Sequence, residues 1–127
     1  MSRLLKITFI INAILGILVG LPLLLVPGRF LGLFGWAPVE PLLDRLLGAA
    51  FLAFAWMSFR SLRLNNPQQA LPIIEGELAF CFLGSLGFGR HLFQPVWYPP
   101  MVWVVFFALA GGALLWLVNL ILIYRKK

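Results

Sequence analysis

A chain of 127 residues that is 62% hydrophobic, with a mean hydropathy of +1.00, has too few polar residues to cover the surface of a soluble domain. Its ten Lys and Arg residues outnumber four Asp and Glu residues, and in a soluble protein this excess would favour nucleic-acid binding. In a chain this apolar, basic residues instead flank membrane helices. We therefore expect one integral membrane domain over residues 1–127 that contacts the lipid bilayer and binds no nucleic acid.

Four apolar segments are each close to the ~20 residues that cross a ~30 Å hydrocarbon core. Their approximate bounds are residues 5–26, 42–60, 70–89 and 100–124. The predicted fold is all-α, a four-transmembrane-helix bundle built from two helical hairpins with interfacial aromatic outer loops. The first segment is longer than a signal-peptide core and no A-x-A-like site follows it, so we interpret it as a retained span.

The first span contains Gly16 and Gly20, a G-x-x-x-G spacing that lets another helix approach closely. The connection after it is rich in aromatic residues and glycine, which predicts a short segment in the membrane interface with Trp36 at headgroup depth. Glu40 and Pro41 then predict a helix start, because proline is favoured at the first helical position and an acid near the positive end of the helix dipole.

The second span opens with Asp44 and Arg45, which we predict to form an interfacial pair at its outer rim. Arg45 has a structural or snorkelling role in this interpretation, and contact with an anion or a lipid headgroup is the alternative. Gly48 and several alanines make this the helix richest in small residues, which predicts close packing.

The third span carries Glu75 and Glu77, and ionisable residues within a span tend to be paired or functional. The two carboxyl groups are about 200° apart around a helix, so they cannot face the same partner. We expect Glu77 to point inward and Glu75 to reach Arg60 or Arg63. Three roles stay open for the pair: a structural clamp between helices, a proton-linked or ligand-binding site, and a contact with a partner subunit.

Two asparagines lie at a similar depth to Glu77. Glu77 is roughly 12 Å along its helix from the inner end of the third span, and Asn12 and Asn119 are each roughly 9 Å from the inner ends of theirs. We predict that these three residues form one polar layer, with Glu77 facing Asn12 and Asn119.

The chain has too few suitable residues for a zinc site or a catalytic triad. The chain has one cysteine, Cys81, one histidine, His91, and one aspartate, so neither a four-ligand zinc site nor a Ser-His-Asp triad can be assembled within it. A b-type haem would have only His91 as an axial ligand within the chain. A haem shared between two copies of the chain therefore stays open. We expect no cofactor and no catalytic residue.

Charge predicts the orientation. Seven of the ten basic residues lie at the N-terminus, in the second connection and at the C-terminus: Arg3, Lys6, Arg60, Arg63, Arg125, Lys126 and Lys127. Short cytoplasmic loops carry the excess of Lys and Arg. We therefore predict cytoplasmic N and C termini, in a bacterial inner membrane.

The first hairpin carries a family resemblance. It reads G-I-L-V-G-L-P-L-L-L-V-P-G-R-F and then L-x-R-L-L-G-A-A-F-L-A-F-A-W around Arg45 and Gly48. Over residues 15–59 the chain resembles the small four-helix bacterial membrane proteins of the DoxX-like type. The resemblance implies an accessory subunit of an electron-transfer or redox complex, or a protein without a known role, and it implies no functional residue.

The function expected from the sequence is therefore non-catalytic: an accessory or assembly subunit packed against a larger membrane complex of the electron-transfer type. The alternative is a binding or carrier protein for a small lipophilic molecule, such as a quinone or a lipid, that uses Glu77, Asn12 and Asn119. A membrane isomerase-type activity stays open as a third possibility.

Overall fold

A computed structural model describes residues 1–36 and 40–126. These residues form α-helices and one short 3₁₀ helix, and they contain no strand. The α-helices are α1 (Arg3–Leu25), α2 (Pro27–Gly32), α3 (Pro41–Ser61), α4 (Leu71–Leu92) and α5 (Pro100–Arg125), and the 3₁₀ helix spans Pro67–Ala70. Helices α1, α3, α4 and α5 are each long and apolar enough to cross a membrane, which confirms the four predicted spans and makes this an integral membrane protein.

Local signals set the start of α1 and the connection that follows it. The side chain of Ser2 caps α1 by accepting the Leu5 backbone N–H at 3.2 Å. The predicted segment after the first span is α2 and the turn that follows it, in which the Phe30 and Phe34 rings meet edge to face with centroids 5.4 Å apart. The rest of this connection, residues 37–39, lies outside the described residues, as does Lys127 of the predicted basic tail.

Helix α3 begins at Pro41, as predicted. The Glu40 backbone N–H donates to Asp44 Oδ2 at 3.1 Å, so an acid in the first turn reaches back to the capping residue. At the next connection the Asn66 side chain accepts the Gln68 N–H at 3.0 Å and starts the 3₁₀ helix that leads into α4.

The second pair of long helices is more continuous than its glycine content indicates. Helix α4 extends three residues beyond the predicted end at residue 89, to Leu92, and the Phe93 N–H closes its last turn on the Gly89 carbonyl. Helix α5 runs without interruption through Gly111 and Gly112. In a membrane-spanning helix the backbone groups must form hydrogen bonds within the helix, and this requirement outweighs the low helix propensity of these glycines.

The helices pack as two units. In the first, Met1–Asn65, α1 lies antiparallel against α3, and α2 contacts both. In the second, Asn66–Lys127, α4 lies antiparallel against α5. We call these units hairpin 1 and hairpin 2. The predicted all-α class with two helical hairpins is confirmed.

Candidate functional site

Hairpin 1 is held by close approach of two helix backbones. A Cβ built on Gly16 would lie 2.8 Å from the Ala55 Cβ, and one built on Gly20 would lie 2.9 Å from the Gly48 carbonyl oxygen. A Cβ built on Gly48 would in turn lie 2.7 Å from the Gly20 carbonyl oxygen. Only glycine fits at these positions, so the helix that the G-x-x-x-G spacing accommodates is α3 of the same chain.

A polar contact closes the same interface toward the N-terminal end of α1. The Asn12 Nδ2 donates to Ser58 Oγ at 2.7 Å, and Ser58 is fully buried. The hydroxyls of Thr8 and Ser61, also buried, donate to the carbonyls of Leu4 and Met57 one turn earlier in their own helices. Asn12, the first member of the predicted polar layer, therefore joins α1 to α3.

Hairpin 2 is packed differently, with side chains lying over glycines. A Cβ built on Gly112 would lie 3.2 Å from Cys81 Sγ, and one on Gly84 would lie 3.2 Å from Leu109 Cδ1. These two contacts fix the register of the antiparallel pair. Glu77 is four residues before Cys81, and Trp116 is four residues after Gly112. Because the helices are antiparallel, Glu77 and Trp116 lie at the same level.

Glu77 is the buried carboxyl group of hairpin 2, only 2% exposed. It precedes Cys81 by one helical turn, so both lie on the face of α4 that meets α5. From α5, Trp116 and Asn119 are 2% and 1% exposed, and the Asn119 Nδ2 donates to the Leu115 carbonyl at 3.0 Å. By the same register Asn119 lies about 4.5 Å beyond the level of Glu77 along the helix axis.

Glu75 has a different environment from Glu77, as the 200° separation predicted. It is exposed, and its Oε1 accepts a hydrogen bond from the Tyr124 hydroxyl at 3.2 Å, which ties the first turns of α4 to the end of α5. Its predicted approach to Arg60 or Arg63 stays a prediction.

Two of the predicted polar residues belong to hairpin 2 and one belongs to hairpin 1. Glu77 and Asn119 lie on the contact faces of hairpin 2, whereas Asn12 is bonded to Ser58 inside hairpin 1. A single layer that joins Asn12 to Glu77 stays a prediction. What hairpin 2 offers chemically is a buried carboxyl group with an indole and an amide side chain from the facing helix, a set that can bind a polar group by hydrogen bonds.

Asp44 has a hydrogen-bond partner at the start of α3, and its predicted interfacial pairing with Arg45 stays a prediction. Its carboxylate caps α3 through the Glu40 N–H, and among the described residues no salt bridge joins it to Arg45. The predicted headgroup or anion contact of Arg45 stays a prediction.

Sequence reasoning missed Ser58, Trp116 and Tyr124. Ser58 follows Ala55 by three residues and Gly48 by ten, the spacing of one helix face, and this pattern alone could have identified it. Trp116 follows Gly112 by four residues in the same way. The Tyr124–Glu75 contact depends on the register of hairpin 2, which only the structure gives.

Within residues 1–36 and 40–126, no group of three or more His, Cys, Asp or Glu side chains is placed to hold a metal ion. Comparisons with protein-family models, with curated proteins and with solved structures found no match to this chain. The resemblance to DoxX-like proteins therefore stays a prediction.

Proposed function

We propose that this integral membrane protein is a non-catalytic accessory or assembly subunit that packs a face of α4 against another membrane protein. The observation that supports the proposal is a difference between glycines of the spanning helices. The facing helix fills the space beside Gly16, Gly20 and Gly48 of α1 and α3. Gly76 and Gly87 of α4 are instead exposed and have no described heavy atom within 4 Å of a Cβ built on them.

Gly76 and Gly87 share one face of α4. Eleven residues turn a helix by about 1100°, so the two positions differ by only about 20° and are about 16 Å apart along the axis. Exposed Ala79 lies between them close to the same face. Against lipid a glycine gains nothing over leucine, but against another helix it permits the close approach that stabilises membrane helix pairs.

Site-specific photo-crosslinking in cells tests the proposal. A photoreactive residue at position 87 should crosslink to a larger membrane protein, because that position faces the partner. The matched control is position 53 on α3, an exposed alanine about 200° around its helix from the contact residue Ala55. Crosslinking to lipid alone at both positions would contradict the proposal.

The nature of the complex and the orientation are parts of the same proposal. The DoxX-like resemblance supports an electron-transfer type of complex in a bacterial inner membrane. Four spans return the chain to the side on which it started, and the basic residues at both termini support a cytoplasmic location for them. Reporter fusions at each terminus would test this, and activity of a periplasm-dependent reporter at either one would contradict it.

The second candidate function is binding of a small lipophilic molecule, such as a quinone or lipid, with Glu77 and Asn119 as its polar contacts and Asn12 as a further one. The buried carboxyl group of Glu77 favours it, since a charged residue at the centre of a span costs about 2.5–3.5 kcal/mol to insert and is usually retained for a reason. Glu77→Gln should lower the quinone or lipid content of the purified protein, whereas Glu75→Gln should leave it unchanged. Equal content in both variants would remove this candidate.

The isomerase-type activity left open by the sequence has no observation of its own to favour it over these two candidates. We therefore propose that the protein is not an enzyme.

A further inference from the structure

Hairpin 1 carries a cluster of four exposed basic residues at one end. Arg3 and Lys6 are in the first turn of α1, Arg60 is in the last turn of α3, and Arg63 follows in the turn after it. Among the described residues none of the four forms a salt bridge. The carboxylates of this unit, Glu40 and Asp44, lie at the opposite end of α3, so the four charges are not balanced within the hairpin.

The register of hairpin 1 places Lys6 and Arg63 at a similar depth. The hydrogen bond between Asn12 and Ser58 fixes which residues of α1 and α3 are level. Lys6 is six residues from Asn12 and Arg63 is five residues from Ser58, both toward the same end, so they lie about 9 Å and about 7.5 Å from that bond. Arg3 is about 13.5 Å and Arg60 about 3 Å from it, and the long arginine side chains can carry their charges toward the layer in which lipid phosphates lie.

The charges also share one flank of the hairpin. Both helices are right-handed and they run antiparallel. A side chain that is rotated in the positive sense from the contact face of either helix therefore points to the same flank of the pair. Lys6 is turned by about +100° from buried Leu5, and Arg63 by about +140° from buried Ser58. Arg3 and Arg60 are each three residues from one of these, a spacing that keeps side chains on neighbouring positions of a helix.

The other flank carries buried residues. Thr8 is turned by about −60° from Leu5 and Ser61 by about −60° from Ser58, and these two residues are 2% and 1% exposed. The basic flank is thus the open side of this end of hairpin 1. On it the Arg63 guanidinium lies 5.3 Å from the centroid of the Phe59 ring, a cation–π contact that orients the guanidinium.

We propose that this basic flank, formed by Arg3, Lys6, Arg60 and Arg63, is a binding site for the phosphate headgroup of an anionic phospholipid. Arginine and lysine bind phosphate oxygens by charge-assisted hydrogen bonds, and arginine does so with two parallel donors. The apolar surface next to the cluster, such as the exposed side chains of Ile7 and Ile10, receives the acyl chains. A lipid with two phosphates matches two pairs of cations, so it should bind more tightly than a lipid with one.

The end of hairpin 2 that carries Arg125 and Lys126 provides the matched control. It also has two exposed basic residues, but exposed Glu75 lies nearby, bonded to Tyr124 one residue before Arg125. A carboxylate this close opposes phosphate binding. The pair Arg125→Gln/Lys126→Gln therefore removes the same charge as Arg60→Gln/Arg63→Gln without touching the proposed site.

Native mass spectrometry of the full chain in mild detergent, with added cardiolipin, phosphatidylglycerol or phosphatidylcholine, tests the proposal. The wild-type protein should bind cardiolipin most tightly and phosphatidylcholine least. Arg60→Gln/Arg63→Gln should weaken cardiolipin binding about 30-fold, because each basic residue near a membrane surface contributes ~1 kcal/mol and 1.4 kcal/mol is tenfold. Arg125→Gln/Lys126→Gln should weaken it less than about threefold.

Two further variants keep the test decisive. Arg3→Gln/Lys6→Gln removes the other half of the flank and should also weaken binding, and Arg60→Lys/Arg63→Lys should retain most of it because the charge remains. Equal losses at both ends of the chain would show general surface charge and overturn the proposal. Competition by inorganic phosphate at the lipid's own concentration would identify a free-phosphate site and overturn it as well.

Discussion

Hairpin 1 brings two helix backbones together through small residues, whereas hairpin 2 places larger side chains over glycines. In hairpin 1 the groups nearest to Gly20 and Gly48 are carbonyl oxygens, which cannot move without moving a helix. In hairpin 2 the groups nearest to Gly84 and Gly112 are the ends of Leu109 and Cys81, which can rotate. A side chain added at a glycine should therefore disturb helix packing more in hairpin 1 than in hairpin 2.

The two hairpins also differ in the polar residues that they bury. A hydrogen bond between the neutral side chains of Asn12 and Ser58 joins the helices of hairpin 1, while hairpin 2 buries the carboxyl group of Glu77. Hairpin 1 is thus sensitive to added volume and hairpin 2 to the loss of polar partners. Four experiments test this difference between the hairpins.

The largest effect is expected for Gly48→Ala. The new Cβ would lie 2.7 Å from two backbone atoms of α1, so the helices must separate, and we expect the free energy of unfolding to fall by about 3 kcal/mol. Denaturation in micelles followed by circular dichroism measures it. Gly76→Ala is the control, since its Cβ meets open space, and equal stability of the two variants would contradict the description of hairpin 1.

Truncation of Glu77 should have the next largest effect. Glu77→Ala leaves a cavity and removes a polar partner inside hairpin 2, which should lower the free energy of unfolding by about 2 kcal/mol. Glu77→Gln keeps the shape and most hydrogen-bonding capacity, so a change below about 1 kcal/mol is expected in the same measurement. If alanine and glutamine at this position were equally well tolerated, the carboxyl group would have no role in packing.

Gly112→Ala should be milder than Gly48→Ala. Its Cβ would lie 3.2 Å from Cys81 Sγ, a side-chain atom that can shift, so we expect a loss of about 1 kcal/mol or less. The ratio of the two losses in one micelle system measures the contrast between the hairpins directly. A loss for Gly112→Ala as large as that for Gly48→Ala would mean that both hairpins depend on backbone contact.

The smallest effect is expected between Asn12 and Ser58. A double-mutant cycle with Asn12→Ala and Ser58→Ala should give a coupling energy of about 0.6 kcal/mol, because hydrogen bonds between membrane helices are weak on average. Ser61→Ala is a suitable control partner for Asn12, since the Ser61 hydroxyl is bonded within its own helix. Coupling of Asn12 to Ser61 as strong as to Ser58 would contradict the assigned bond.

Hydropathy predicted the four spans because helix length is tied to bilayer thickness, and the start of α3 was predictable because Pro41 has a local conformational preference. Helical periodicity predicted that Glu75 and Glu77 face different directions, and in the structure Glu77 is buried while Glu75 is exposed. Depth counted along the chain could not identify Ser58 as a partner of Asn12, because depth does not say which helices touch. The hydrogen bond between them depends on the pairing of α1 with α3.

The native mass of the protein extracted in mild detergent shows directly whether the exposed glycine face of α4 binds another membrane protein. We expect the wild-type chain of 14.3 kDa to be part of a larger assembly with a second membrane protein, and Gly76→Leu/Gly87→Leu to release it as a single chain. A wild-type protein that runs alone at 14.3 kDa would contradict binding of a partner through this face.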